Sequence, residues 1–439
     1  MNARELALRV LVKVDQGQGF SDGLIRKEFG RAGLGDEDRA LARELVAGIL
    51  RNRSRLDWLL DGSLKKGVGS LSPHEVNILR MGAYQLAMMD RIPAYAAVDE
   101  CVRLSKRFAR KGVIGLTNAV LRDIIKKGPR GRKISTGDRV RDLALSFSHP
   151  EWLVGRWLAQ LGPKETEALL EADNRPAPVF VWPNPRKTRL ERLMPEMEAA
   201  GFDPRPHQLL PEAVELRKPA GLFEHRLFLQ GFFYLQDPGA QLVGRLLDPK
   251  PGQNVLDLCA APGGKACWAA SRDPGILVAA VDLSLAKMGL IGGNASRLGL
   301  ANVLPVCGDA MDFGSRRAFD AVLVDAPCSG LGVMRRRLDL RWRVREEDIN
   351  RLAGLQARML DNAASLVRPG GTLVYSTCTL TPEENQGQVA RFLSGHPGFR
   401  LEPAGPFLPA EFVREGTMQA WPHLHGTDGA FAARLLRIM

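Results

Sequence analysis

Residues 254–266 read NVLDLCAAPGGKA. A short apolar run ends in a turn with two glycines, and the turn leads into residues that can open a helix. Strands buried on both faces read as near-continuous apolar runs, and a parallel sheet covered by helices is where they occur. Further runs follow at LVAAVD (277–282), NVLPV (302–306), DAVLVD (320–325) and GTLVYST (371–377). Helical patterns at 284–298 and 346–367 lie between them. This alternation predicts a doubly wound, mostly parallel α/β domain over residues 241–439.

Such a sheet binds its ligand beyond the carboxyl ends of its strands. The turn made by Cys259, Ala260, Ala261, Pro262, Gly263, Gly264 and Lys265 is placed there. It is not the G-x-G-x-x-G of a dinucleotide site, and Ala266 stands where a phosphate-cradling loop needs Ser or Thr. Asp282 closes the second strand nineteen residues after Gly263, where a carboxylate can accept from a ribose diol. Asp309, in VCGDAMDF, is placed to reach an adenine amino group. Two carboxylates and a glycine turn without phosphate machinery fit S-adenosylmethionine better than NAD or ATP.

Upstream the pattern differs. Residues 1–127 read as helices almost throughout. In LSPHEVNILRMGAYQLAMM, Ser72 caps, Pro73 takes the first helical position and Glu75 completes a capping box. Val76, Leu79 and Leu86 share one face, as do Ala97, Cys101, Leu104 and Phe108 on the next helix. That next helix carries Arg103, Lys106, Arg107, Arg110 and Lys111 outward, as a solvated surface or a polyanion-facing one. KKGPRGRK (126–133) reads as a linker or a phosphate-touching arm, which sets the first domain at 1–133. Residues 145–240 read as a small α+β domain, with a helix at HPEWLVGRWLAQLG and a strand at APVFVWPNP. Phe180 and Trp182 there suit base stacking, although aromatics in a strand are more often core.

The whole chain has 439 residues and a net charge of +12, which favours a polyanionic partner. Its six cysteines include no C-x-x-C pair, and its histidines have no zinc spacing, so neither a disulfide framework nor a metal site is expected. No secretory leader and no membrane-length apolar run can be read, and a cytoplasmic setting is expected.

Two cysteines stand apart from the rest. Cys328 in DAPCSG (325–330) and Cys378 in YSTCT (375–379) each follow a strand. Together DLCAAPGGKA (257–266), DAPCSGLGVMRR (325–336) and YSTCTLTPEEN (375–385) resemble the RNA (cytosine-5) methyltransferase family. QDPGAQLV (236–243) and DGAFAARLLR (428–437) match its pattern too, and the helical N-terminus resembles the NusB antitermination-factor fold. The chain as a whole is similar to the bacterial 16S ribosomal RNA methyltransferases of the Sun/Fmu type. The resemblance implies a NusB-like domain, a small RRM-like middle domain and a Rossmann-like S-adenosylmethionine-dependent domain. It departs at Ala266, where Thr or Ser is usual, and in SLAKMGLIGGN after Asp282, where an arginine is more usual.

Cytosine C5 is a poor nucleophile until a thiolate adds to C6. The adduct must then lose its C5 proton before the enzyme is released, so a second acid/base group is useful. Residue chemistry alone leaves open which thiol attacks. The resemblance implies that Cys378 attacks and Cys328 assists release. Asp325 is placed to bond N3 and the 4-amino group, best as a partly protonated carboxyl, and Lys265 to add positive charge. RRRLDLRWRVR (335–345) brings six arginines around Trp342, expected to hold phosphates or a stacked base. Small-subunit ribosomal RNA is the partner that the resemblance implies, acted on by a monomer, with neither membrane nor DNA involved. The competing readings are an RNA-binding assembly or antitermination factor with an inactive catalytic domain, and a DNA cytosine methyltransferase. The second would need only the Pro-Cys thiol.

Overall fold

The computed structural model describes residues 1–128 and 134–438, so most of the KKGPRGRK segment lies outside the described residues. The chain forms two compact units: Met1–Arg175 with Met334–Val344, and Pro176–Val333 with Arg345–Met439.

The first unit is helical. Its core gathers the apolar faces of helices Ala3–Asp15, Asp36–Arg51, Pro73–Met88, Ala94–Phe108 and Lys111–Lys127. Val76, Leu79, Leu86, Ala97, Cys101 and Leu104 are all buried, as their spacing requires. The capping box forms: the Ser72 amide donates to Glu75 at 2.9 Å and the Glu75 amide to the Ser72 hydroxyl at 3.5 Å. Arg110 then donates to both Glu75 oxygens at 2.8 Å, and Arg107 pairs with Glu5, so part of the basic face is internally satisfied. The helix expected over 149–162 begins at Glu151 and breaks at Gly162, whose φ of 74° is left-handed, immediately before Pro163.

The arginine-rich segment behaves differently from its reading. Met334–Val344 belongs to this helical unit, and Leu338 lies in its core. Arg341 is 1% exposed and donates to Asn174 Oδ1 at 2.8 Å and to the carbonyls of Asp173, Ser148 and Arg51. Burial pulls its guanidinium down to about 10. Trp342 Nε1 donates to the Leu50 carbonyl at 2.8 Å, and Asp339 accepts from the Ser21 amide and hydroxyl. A planar fork that satisfies several buried acceptors is what arginine does best, so these side chains wedge helices together instead of facing phosphate.

The second unit holds two sheets. The strands are β1 (Val179–Pro183), β2 (Pro204–Pro206), β3 (Val214–Leu216), β4 (Phe233–Leu235), β5 (Asn254–Leu258), β6 (Leu277–Asp282), β7 (Val303–Cys307), β8 (Phe319–Asp325), β9 (Val367–Thr377), β10 (Phe399–Glu402), β11 (Val413–Arg414), β12 (Thr417–Ala420) and β13 (Ala430–Arg437). The small antiparallel sheet has order β2-β3-β1-β4 and packs on helix Leu190–Ala199. Phe180 and Trp182 are buried in β1, so they are core and not stacking platforms.

The large sheet runs β11-β12-β13-β9-β8-β5-β6-β7, with β10 also paired to β13. Strands β5 to β9 are parallel, whereas β13 pairs antiparallel with β9. Val255, Ala280 and Leu323 face one core, and Leu256, Val281 and Val322 face the other. This two-sided burial is why the strands read as unbroken apolar runs. β5 has β6 on one side and β8 on the other, so the chain reverses direction across the sheet beside β5. A ligand crevice opens at the carboxyl end of such a point.

Two stability outcomes follow. Arg341→Ala strands several buried acceptors and is expected to cost about 2–4 kcal/mol in denaturant unfolding of the helical unit, with Arg341→Lys recovering only part. The Arg110 guanidinium, against the cost of burial and aided by Ser72, holds the Glu75 carboxyl down at about 2 from an ordinary 4.5. Its contribution is complete above that ordinary value and is lost as pH falls toward about 2. Glu75→Gln should therefore cost about 1–3 kcal/mol at neutral pH. The gap to wild type should close in acid, measured by thermal melts across that range.

Candidate active site

The carboxyl edge of the parallel strands sets the site. In the ladder Leu258 pairs with Val281 and Val324, Asp282 with Cys307, and Asp325 with Ser376. Asp257, Asp282 and Asp325 therefore reach the same edge from three strands.

Past β5 the chain turns sharply. Cys259 has φ 66° and Gly263 φ 100°, and a Cβ on Gly263 would press on Ile291 at 3.2 Å. The Ala261–Pro262 peptide is cis. Helix Gly264–Arg272 opens next and brings Lys265 Nζ to 2.6 Å from Asp325 Oδ2, while Ser376 Oγ donates to Asp325 Oδ1 at 2.8 Å. Burial works against the Lys265 ammonium. The charge and hydrogen bond of Asp325, with Asp257 and Cys378, outweigh it and hold the amine above its ordinary value.

Lys265 and Asp325 line a cavity of about 160 Å³ with Ala260, Ala261, Pro262 and Gly264. Tyr234 and Gln236, at the end of the small sheet, and Asp257 complete it. Sequence reasoning missed these three. Asp257 sat inside an apolar run, Tyr234 lies in a three-residue strand, and Gln236 opens QDPGAQLV, which reads as a family match and not as a lining segment. Asp257 is 1% exposed, and no side chain donates to either of its oxygens. Burial, then the Asp325 charge, pushes its carboxyl up to about 8, with Lys265 only partly offsetting.

Cys259, Gly263, Asp282 and Asp309 do not line this cavity. Asp282 is 7% exposed and accepts from the amides of Ala261 at 3.2 Å and Ser284 at 3.1 Å. Asp309 is half-buried and accepts from the Met311 amide. Burial, followed by nearby carboxylates, pushes the Cys259 thiol up to about 12. Burial does the same to Cys101 and Cys267. Cys307 is exposed at the end of β7, the edge strand of the sheet.

Cys328 and Cys378 come together. Their sulfurs are 3.3 Å apart, and the Cys378 amide donates to the Cys328 sulfur at 3.3 Å. Both are half-buried free thiols. The contact with Cys378 and burial, then the charges of Cys378 and Glu384, push the Cys328 thiol well above its ordinary value. The segments flanking the pair lock tightly. The Gly332 amide donates to the Cys378 carbonyl at 3.0 Å, and a Cβ on Gly332 would lie 2.4 Å from the Gly429 carbonyl oxygen. Gly429 donates back to Gly332, and the Asp428 amide to Asp237 Oδ1. QDPGAQLV, DAPCSGLGV, YSTCT and DGAF thus meet in one place. Among the described residues no cluster could hold a metal ion, and no helix is long and apolar enough to cross a membrane.

Comparison with known proteins gives three matches along the chain. Residues 1–126 match the NusB family, residues 149–222 the RsmF/B-like ferredoxin-like domain, and residues 244–436 the family described as 16S rRNA methyltransferase RsmB/F. The probable ribosomal RNA small subunit methyltransferase B of Bacillus subtilis is 38% identical over 98% of this chain and 97% of its own. The ribosomal RNA small subunit methyltransferase B of Salmonella arizonae is 34% identical over 99% of both. The crystal structure of PH0851 superposes with a TM-score of 0.82 at 27% identity over 99% of each chain. With its helical NusB domain, ferredoxin-like middle and mixed α/β sheet, the chain belongs to the RsmB-type 16S ribosomal RNA methyltransferases.

Proposed function

We propose that the chain methylates C5 of a cytosine in 16S ribosomal RNA, with S-adenosylmethionine as donor and Cys378 as the attacking thiolate. The observation that carries this reading is the thiol pair, 3.3 Å between sulfurs, beside the Lys265–Asp325 ion pair. A base whose C6 is to meet a thiol must leave its stack, as loop and bulge nucleotides of folded RNA can.

The donor's fit is tested by the turn after β5. Gly264 brings its backbone to the cavity, which is lined besides by Ala260, Ala261, Pro262, Tyr234 and Gln236 and by two carboxyls, Asp257 and Asp325, against one lysine, Lys265. That set suits a neutral or cationic ligand better than a phosphate. Ala260, Ala261, Pro262, Gly264 and Asp257 would hold it, with Asp282 and Asp309 on the flanking strand ends. When bound, S-adenosylmethionine supplies an electrophilic methyl on a sulfonium.

The residues divide the remaining work. The contact with Cys378 and burial push the Cys328 thiol up, so Cys328 keeps its proton and Cys378 is the sulfur that gives up its own and adds as thiolate to C6. The Lys265 ammonium stabilises negative charge on Cys378. Asp325 accepts from Lys265 and Ser376 and retains lone pairs for the 4-amino group. Its contacts in the structure are those of an acceptor. Once C5 carries the new methyl, Cys328, after losing its own proton to solvent, is the group beside the adduct that can accept the C5 proton as the C6–S bond breaks and Cys378 leaves as thiolate.

In a trapping assay with cofactor and unmodified 16S ribosomal RNA, Cys328→Ala should accumulate a covalent protein–RNA adduct on denaturing gels. Cys378→Ala should give no adduct and lose more than about 10³-fold in methylation. The reverse pattern would overturn the assignment, and cofactor binding without transfer by any variant would favour an RNA-binding factor. Lys265→Ala should lower kcat about 10²-fold and move the acid limb of the pH–rate profile to higher pH, because a thiolate without its cation forms less readily. Lys265→Arg should keep that limb near the wild-type position.

A further inference from the structure

Six residues beyond Cys378 lies a carboxylate that the proposed chemistry does not use. Glu384 is fully buried, in a short helical turn over Pro382–Glu384. Its Oε1 accepts from the Ser329 amide at 2.9 Å and from Gln356 Nε2 at 3.0 Å. Its Oε2 accepts from the Ser329 and Thr381 hydroxyls, the latter at 2.7 Å. Its own carbonyl accepts from the Tyr375 hydroxyl at 2.6 Å.

Three features make this more than a packing detail. Ser329 is the residue after Cys328, and Thr381 lies three residues after Cys378, so one carboxylate ties both cysteine loops. Ser329 and Thr379 also share a hydrogen bond at 2.7 Å across the same seam, and Gln356 donates to the Pro327 carbonyl beside Cys328. The four donors are uncharged, and four acceptor sites are what an ionised carboxylate offers. A buried negative charge therefore stands next to the Pro-Cys loop.

We propose that Glu384 is a positioning residue that clamps the two cysteine loops together and, through its buried charge, keeps the proton on Cys328 so that Cys378 is the sulfur that ionises. This rests on the reading that Cys378 attacks, and it adds what decides between two thiols in contact. A negative charge disfavours a second one nearby, and the effect is strong where water is excluded. Glu384 is among the groups that push the Cys328 thiol up, after Cys378 itself and burial.

The test reads thiol reactivity with iodoacetamide and peptide mapping, on the full chain, with neither RNA nor methyl donor present. In wild type, Cys378 should alkylate at least about 10-fold faster than Cys328 near neutral pH, because one unit of pKa separation is a tenfold difference in thiolate. Glu384→Gln should bring the two rates within about 3-fold, a gap of half a unit or less. Glu384→Asp, which keeps the charge, should retain the preference. In a Cys328→Ala background, Glu384→Gln should not lower the Cys378 rate, since a buried negative charge nearby only opposes a thiolate. A merely structural residue would lower it there too. An unchanged preference in folded Glu384→Gln overturns the proposal. Should that variant not fold, the wild-type pH profile decides: Cys328 must ionise at least about one unit above Cys378, and coincident profiles overturn it. If this alkylation pattern holds while the RNA adduct fails, only the methylation reading falls. If the adduct forms but the pattern fails, only the role of Glu384 falls.

Discussion

Everything at the site depends on how β8 and β9 pair. They lie side by side, parallel, with Asp325 opposite Ser376. From that register the chain reaches Cys328 three residues beyond Asp325, past the end of β8, and Cys378 two residues beyond Ser376, just past the end of β9. A slip of one residue would turn every side chain to the other face of the sheet. The register is held by burial on both faces, since Val322, Val324, Leu373 and Tyr375 fill one core and Leu323 and Val374 the other. Two sulfurs fifty residues apart in sequence are thus brought into contact by apolar packing.

Two buried carboxyls near this edge meet different surroundings. Burial, then the Asp325 charge, pushes the Asp257 carboxyl up to about 8, with Lys265 and the Ala266 amide only partly offsetting. Glu384, equally buried, accepts four hydrogens. The carboxyl that burial pushes up lines the cavity, and the one held by four donors sits behind the cysteine loops. The Lys265 ammonium adds positive charge on the Asp325 side.

Much of this was legible in the sequence, for physical reasons. Apolar runs marked the five parallel strands, and Ser72, Pro73 and Glu75 marked a helix start, because each pattern is local. Lys265, Asp325, Cys328 and Cys378 were legible because they end strands or open a helix in motifs of unusual composition. What was missed is long-range. β13 runs antiparallel beside β9, and no feature of AFAARLLR declares its direction. Tyr234 and Gln236 reach the cavity from the end of a three-residue strand in the smaller sheet. Asp257 was hidden because its neighbours are apolar, although a lone carboxyl inside a buried strand is itself a signal.

The arginine-rich segment shows where composition misleads. Six arginines around a tryptophan have the make-up of a phosphate-binding patch. Yet a guanidinium is more weakly hydrated than an ammonium and carries five fixed donors, so it is also the cation best suited to burial among carbonyls. Arg341 takes that second use, and Arg335 is buried as well, while Arg337 and Arg345 stay exposed. What separates the two uses is the spacing of acceptors around the arginine. Those acceptors, on Arg51, Ser148 and Asp173, lie in three stretches of chain far from the segment. The chain leaves the second unit at Val333, five residues after Cys328, and returns at Arg345. The loop that carries one of the two thiols is therefore continuous with a buried anchor in the helical unit. The basic charge that a ribosomal RNA partner calls for must be sought instead on exposed faces, such as the outer face of helix Ala94–Phe108, where Lys106 stays in solvent.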